Sequence, residues 1–356
     1  MNPPRPYKLT FSALIDELRL SFIESLHRKS YRIIYYNLEQ LPVLPDMPCI
    51  FVFNHGSVND APNSKEIVNF LRYKTDRGGQ VEKRRISTKI LAASDCLTWP
   101  FKVMFKIMDW ISVDRLNPKE KKESINIMVK HLEKYDLIMW PEATWNVSSS
   151  LVNPFFDGAS IVSYATNRPI YPIGWLRYNN DYYVNVGAPI NKESITADMC
   201  LKNDVATKLA DMVNNPALLA FKEQGCEKRL IVACEDELSS IIGGIELTKK
   251  IKSGLIALMH DNSIRDKLTD DLVEHIAIGK MTQTAQDSVA SLIGEMVFDN
   301  EIQKPLARAT FVPEKCRADI LKKEKGYLLN YDDYEVQFIR KPSVYYSHIL
   351  GKRRPL

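Results

Sequence analysis

The sequence predicts an α/β fold: a mostly parallel sheet flanked by helices, with an N-terminal amphipathic helix before it and a helical extension after it. Three observations predict this. Short apolar runs alternate with helical patterns between Cys49 and Pro189, as expected of parallel strands joined by crossover helices. Several of those runs end in residues with chemistry to offer, namely His55, Asp114 and Glu142, and open α/β sheets build their sites at the carboxyl ends of strands. Beyond Pro189 the strand-like runs give way to helical periodicity.

The elements follow in order. From residue 9 to 38 the pattern is helical, with Phe11, Leu14, Ile15, Leu18, Phe22 and Leu26 on one stripe and Thr10 or Ser12 as caps. Arg19, Arg28, Lys29 and Arg32 lie among or after that stripe, so the arm suits a protein core, a membrane surface, or both. Pro42, Pro45 and Pro48 end it. Strands are predicted over 49–53, 86–92, 110–113, 136–140, 170–175 and 182–186. Helices fall between them over 65–73, 100–108, 118–135 and 155–166. The extension reads as helices over 194–214, 217–222, 238–259, 264–278 and 283–298, with a strand within 327–340. The chain thus divides into an arm (1–44), an α/β domain (45–190) and a mainly helical region (191–356).

Composition narrows the function. A chain of 356 residues that is 45% hydrophobic and 26% charged is an ordinary globular protein with ample core. A net charge of +4 gives no case for nucleic acid as a partner. Basic residues do cluster locally at Lys83-Arg84-Arg85, at Lys249, Lys250 and Lys252, and at Lys352-Arg353-Arg354. The six cysteines form no Cys-x-x-Cys pair, which argues against a zinc site and a disulfide framework and fits a reducing compartment. The start lacks the apolar segment of a signal peptide, and no run approaches the roughly 18 apolar residues of a membrane span. The expectation is a cytoplasmic protein, peripheral at the inner face of the membrane, with no metal.

The pair His55 and Asp60 carries the chemistry. Five positions on one regular helix turn through about 500°, leaving two side chains roughly 140° apart. The pair can therefore meet only across a strand-to-helix turn, which Gly56, Ser57 and Asn59 suit. An imidazole held by a carboxylate is a general base for a hydroxyl near neutral pH. Other chemistries lack their motifs: the sequence has no Gly-x-Ser-x-Gly, no His-Glu-x-x-His and no Gly-rich phosphate loop.

Three further segments follow the pair: Ile111-Ser-Val-Asp114-Arg115, Trp140-Pro141-Glu142-Ala143-Thr144-Trp145-Asn146, and Arg168-Pro169-Ile170-Tyr171-Pro172-Ile173. In order and spacing, with His55-x4-Asp60, they resemble the four motifs of the glycerolipid acyltransferase superfamily, which includes the 1-acylglycerol-3-phosphate and lysophospholipid acyltransferases. Phe155-Phe-Asp-Gly158-Ala159 is also similar to the Phe-x-x-Gly-Ala that opens the next family helix. The resemblance covers about residues 45–190 and implies an O-acyltransferase with no cofactor. Its co-substrate would be acyl-CoA or an acyl-carrier protein, and its acceptor a lysophospholipid or related lipid. His55 would be the base and Asp60 would hold its tautomer. Backbone N–H groups after His55 would steady the oxyanion.

The remaining site candidates have two readings each. Glu142 binds an acceptor hydroxyl or braces the His55 loop, or is an acid favoured by a helix start. Arg115 binds phosphate, or pairs with Asp114 or Glu142. Thr144 and Asn146 hydrogen-bond substrate, or shape a turn. Trp145 stands where the family has an arginine that meets phosphate; it is a flat platform for a sugar ring or acyl chain, or a packed aromatic. A lysine commonly precedes the family's Gly-Ala, and here Phe156 or Asp157 stands there. These departures keep three alternatives open: the same chemistry on a sugar or glycolipid acceptor, a lipid-binding scaffold without turnover, and a thioester or ester hydrolase.

Overall fold

The structure, a computed structural model, describes residues 32–36, 42–55, 60–76, 86–93, 110–113, 118–143, 152–178, 181–197, 201–242 and 247–298. The strands are β1 (Arg32–Tyr35), β2 (Ile50–Phe53), β3 (Thr88–Ala93), β4 (Ile111–Val113), β5 (Asp136–Met139), β6 (Ile170–Tyr178) and β7 (Asp181–Val186). They form one sheet in the order β1-β7-β6-β2-β5-β3-β4. All neighbours pair in parallel except β6 with β7, a hairpin, so β1 and β7 run against the other five.

Strand β2 sits between β5 and β6, and all four of its residues, Ile-Phe-Val-Phe, are buried. A strand covered on both faces needs a continuous apolar run rather than an alternating one. Helix α1 (Asp60–Asp76) follows β2 and buries Ile67, Val68 and Leu71, one helical face. Helix α2 (Pro118–His131) precedes β5, and α3 (Gly158–Thr166), which packs against α2, precedes β6. Pro118 opens α2, where its missing N–H would be unpaired in any case.

The sequence reading of a mostly parallel sheet with flanking helices and a helical C-terminal region holds. One part of it is corrected. Residues 32–35, read as the end of the amphipathic helix, form edge strand β1, registered on β7 from Arg32↔Asp181 to Tyr35↔Val184. Ile33, Ile34 and Tyr35 are β-branched or aromatic, and pairing with a distant strand overrides the local helical pattern. Residues 1–31, the helix expected over 100–108 and the strand expected within 327–340 lie outside the described residues.

The chain divides into two compact units, Met1–Ile190 with Thr284–Leu356, and Asn191–Gln283. The second holds α4 (Lys192–Ala197), α5 (Leu201–Val213), α6 (Pro216–Glu223), α7 (Glu227–Ile241), α8 (Lys249–His260) and the first part of α9 (Arg265–Phe298). Its core includes Leu209, Leu230, Leu238, Leu255 and Leu272. Asn215 caps α6 by accepting the Ala217 N–H at 2.9 Å, with Pro216 next in line, and Thr248 caps α8 at 3.3 Å. The helix expected over 238–259 is two helices, α7 and α8, and those expected over 264–278 and 283–298 are the single helix α9. No described helix is long and apolar enough to cross a membrane.

The end of α9 belongs to the first unit. A Cβ on Gly174 would lie 2.9 Å from the Leu292 Cβ, and one on Gly187 would lie 3.1 Å from the Leu292 Cδ1. Glycine at both places lets the helix lie directly on β6 and the end of β7. The buried Asn185 amide donates to the Leu292 carbonyl at 3.2 Å and to Glu295 Oε2 at 2.8 Å.

Candidate active site

The site is built at the carboxyl ends of β2 and β5. Asn54 extends β2 by one residue through its side chain. Its Oδ1 accepts the Trp175 N–H at 2.9 Å, its Nδ2 donates to the Trp175 carbonyl at 2.9 Å, and its own carbonyl accepts the Trp175 indole N–H at 2.7 Å. These bonds leave His55 at a fixed exit from the sheet. Asp60 is the first residue of α1, where a carboxylate meets the positive end of the helix dipole. His55 Nδ1 and Asp60 Oδ2 are 2.9 Å apart, with the imidazole 20% exposed and the carboxylate 2%. A carboxylate only accepts, so Nδ1 carries the proton in this bond and Nε2 is the basic nitrogen.

Glu142 closes the site from β5. The offset of 87 residues that registers Ile50 on Leu137 also carries His55 to Glu142, and the His55 N–H donates to Glu142 Oε1 at 2.7 Å. The other oxygen, Oε2, accepts the Asn153 N–H at 2.8 Å. Glu142 is only 2% exposed. Burial pushes its carboxyl up to about 8, against the two N–H donors, which pull it down, and with a smaller push from the nearby Asp60 charge. The chain reverses after it with Ala143 at φ 53°, in the left-handed region, and the Ala143 N–H donates to the Trp140 carbonyl at 3.0 Å.

Trp140 stacks on the His55 imidazole, with centroids 5.0 Å apart and planes 24° from parallel. Its indole N–H is buried and finds no acceptor among the described residues. The 153–156 segment is fixed by its own main chain. Besides Asn153, the Phe156 N–H donates to the Pro141 carbonyl at 2.9 Å and the Phe155 N–H to Gln286 Oε1 at 3.0 Å.

Of the candidates read from sequence, the structure brings His55, Asp60 and Glu142 together. Arg115, Thr144, Trp145 and Asn146 lie outside the described residues, as do residues 56–59, whose N–H groups were expected to meet an oxyanion. Sequence reasoning missed Asn54, Trp140, Asn153 and Gln286. A polar residue directly after a fully apolar strand was a usable signal for Asn54. Asn153 acts through its main chain, which no side-chain pattern announces.

The family model described as Acyltransferase matches residues 32–175. No curated protein matches. Among solved structures, one match is the 1-acyl-sn-glycerophosphate (LPA) acyltransferase PlsC from Thermotoga maritima. It is 15% identical over 49% of this chain and 70% of that one, with a TM-score of 0.35, too low to argue from. With the four motifs in order, residues 32–175 are an acyltransferase domain of the glycerolipid acyltransferase superfamily. The reaction class is acyl transfer.

Proposed function

We propose that the protein is an O-acyltransferase that moves a fatty acyl group from acyl-CoA or an acyl-carrier protein to a hydroxyl of a lysophospholipid or related lipid, at the inner face of a membrane. The observation that carries this is the 2.9 Å contact between His55 Nδ1 and a buried Asp60, on an imidazole that stays partly exposed. His55 Nε2 takes the proton of the acceptor hydroxyl as its oxygen attacks the thioester carbonyl. Asp60 stabilises the imidazolium that forms. The tetrahedral intermediate collapses, the carbon–sulfur bond breaks, and the imidazolium returns its proton to the departing thiolate. Glu142 works through its hold on the His55 main chain rather than as a second base, because both its oxygens are occupied by N–H donors.

A second reading keeps the chemistry and changes the acceptor to a sugar or glycolipid. It is favoured by Phe156 or Asp157 standing where the family commonly has a lysine, and by Trp145 in the arginine position. Loss of both cations removes charge-assisted bonds to a phosphate.

Labelled palmitoyl-CoA and palmitoyl-acyl-carrier protein, offered with a panel of lysophospholipids and glycolipids, decide among these. Acyl product that disappears in His55→Ala supports the proposal and names the acceptor. Labelled free fatty acid alone marks a hydrolase. No turnover by the wild-type protein across the panel overturns the enzyme reading in favour of a lipid-binding scaffold.

A further inference from the structure

We propose that the end of α9, far outside the segment shared with the acyltransferase family, completes this site. Gln286 is its positioning residue, holding the 153–156 segment against Glu142 and, through Glu142, the main chain of His55. The inference rests on the acyl-transfer reading for its kinetic readout only.

Helix α9 presents Ala285, Val289, Leu292, Ile293 and Met296 as a buried stripe. Gln286 lies two turns before Ile293, only about 20° from it around the helix axis. A polar residue in line with an apolar stripe costs stability unless it is bonded. Its bond goes to the Phe155 N–H at 3.0 Å. Segment 153–156 then has every main-chain donor engaged. Asn153 donates to Glu142 and Phe156 to Pro141, Phe155 donates to Gln286, and Pro154 has no N–H. Motif three supplies two of those acceptors and α9 the third. Without α9 the Phe155 donor would be stranded in a half-buried place.

Register between helix and sheet makes the bond possible. The absence of side chains at Gly174 and Gly187 sets the approach, and the Asn185 amide bonds to Leu292 and Glu295 fix the helix along its axis. Gln286 is thereby delivered to Phe155. Two residues earlier in that segment, the Asn153 N–H grips Glu142 Oε2, whose partner oxygen grips His55.

Gln286→Leu and Gln286→Glu, in the full-length protein, test this. Glutamate keeps an acceptor oxygen and leucine does not. Main-chain hydrogen exchange, read without substrate, should quicken in Gln286→Leu both over 152–158 and at His55, and should stay near wild type in Gln286→Glu. With substrate, kcat in the leucine variant should fall roughly tenfold with the thioester KM within about twofold, and the glutamate variant should recover. The inference is overturned if protection at His55 is unchanged in the leucine variant. It is equally overturned if that variant only melts earlier while its folded fraction keeps the wild-type kcat. Where leucine prevents folding, Gln286→Ala replaces it. If the wild-type protein shows no acyl transfer at all, the reaction assigned to the site fails, and the exchange result still decides whether α9 holds it.

Discussion

The two ends of strands β2 and β5 repeat one device and use it differently. At the amino end, Asp136 of β5 accepts the Cys49 N–H at 2.8 Å; at the carboxyl end, Glu142 accepts the His55 N–H at 2.7 Å. Both bonds span 87 residues, because both follow the register of the same strand pair. The difference is in the counter-charge. Asp136 is gripped by Arg72 of α1, through Nε at 2.9 Å and Nη2 at 2.5 Å, and Arg72 also donates to the carbonyls of Pro45 and Met47. Glu142 has only main-chain donors among the described residues. Asp136 thus has an arginine as counter-charge, whereas the described partners of Glu142, beside the partly exposed imidazole, are both main-chain N–H groups. Helix α1 joins the two ends, with Asp60 at its start and Arg72 three turns later. Burial pushes the Cys49 thiol up to about 12, so that end offers no nucleophile at ordinary pH.

The contrast predicts effects of opposite kind. His55→Ala should lower acyl transfer by about two to four powers of ten, with a smaller loss of stability than at the other end, since the imidazole is partly exposed although Asp60 loses a donor. Arg72→Met should do the reverse. It strands Asp136, which is fully buried, and should cost about 3–5 kcal/mol of stability by chemical denaturation. The protein that remains folded should keep its kcat. A rate loss in Arg72→Met equal to that in His55→Ala would show that the ends are not separable.

Glu142→Gln probes the carboxylate held by main-chain donors. Its folded value is raised to about 8 from an ordinary 4.5. Between those values the folded state holds a proton that the unfolded chain has released, so stability must fall as pH rises through that window. The wild-type protein should therefore lose a few kcal/mol relative to Glu142→Gln between pH 4.5 and about 8, read from denaturation at several pH values. Parallel pH profiles for the two proteins would mean that Glu142 stays ionised throughout. Glutamine also keeps only one acceptor, so one of the two N–H groups loses its partner, and kcat should fall about tenfold.

Strands β2 to β7 were legible because each is a short apolar run between breakers, and β2, β5 and β6 differ from their expected bounds by few residues. Helix α1 begins at Asp60 rather than near Lys65, because Pro62, Asn63 and Ser64 read as a turn yet are all tolerated in a first turn. His55 and Asp60 were legible as types at a spacing. Their meeting required the strand-to-helix exit that spacing only implied. Strand β1 and the docking of α9 were not legible, for a shared reason. Ile33 and Ile34 acquire their meaning from β7, and Gly174 and Gly187 from Leu292, each far away in sequence. Local pattern cannot announce a partner more than a hundred residues on.

The smallest effect bears on the turn beside Glu142. Ala143 holds φ 53°, a region where a Cβ crowds the following carbonyl. The resembling family motif has glycine there, for which the conformation is ordinary. Ala143→Gly should therefore stabilise the protein, by about 0.5–1 kcal/mol once the greater freedom of glycine in the unfolded chain is subtracted. A thermal melt reads that gain. The kinetic result is the sharper one. The Ala143 N–H closes the turn on the Trp140 carbonyl at 3.0 Å, and Glu142 is already held by two N–H donors. If those bonds suffice to aim the carboxylate, kcat stays within about twofold of wild type as stability rises. If kcat falls while the melt improves, the methyl group of Ala143 is part of what holds Glu142 under His55. In that case the Glu142 end of the strands is kept in place by backbone strain as well as by hydrogen bonds.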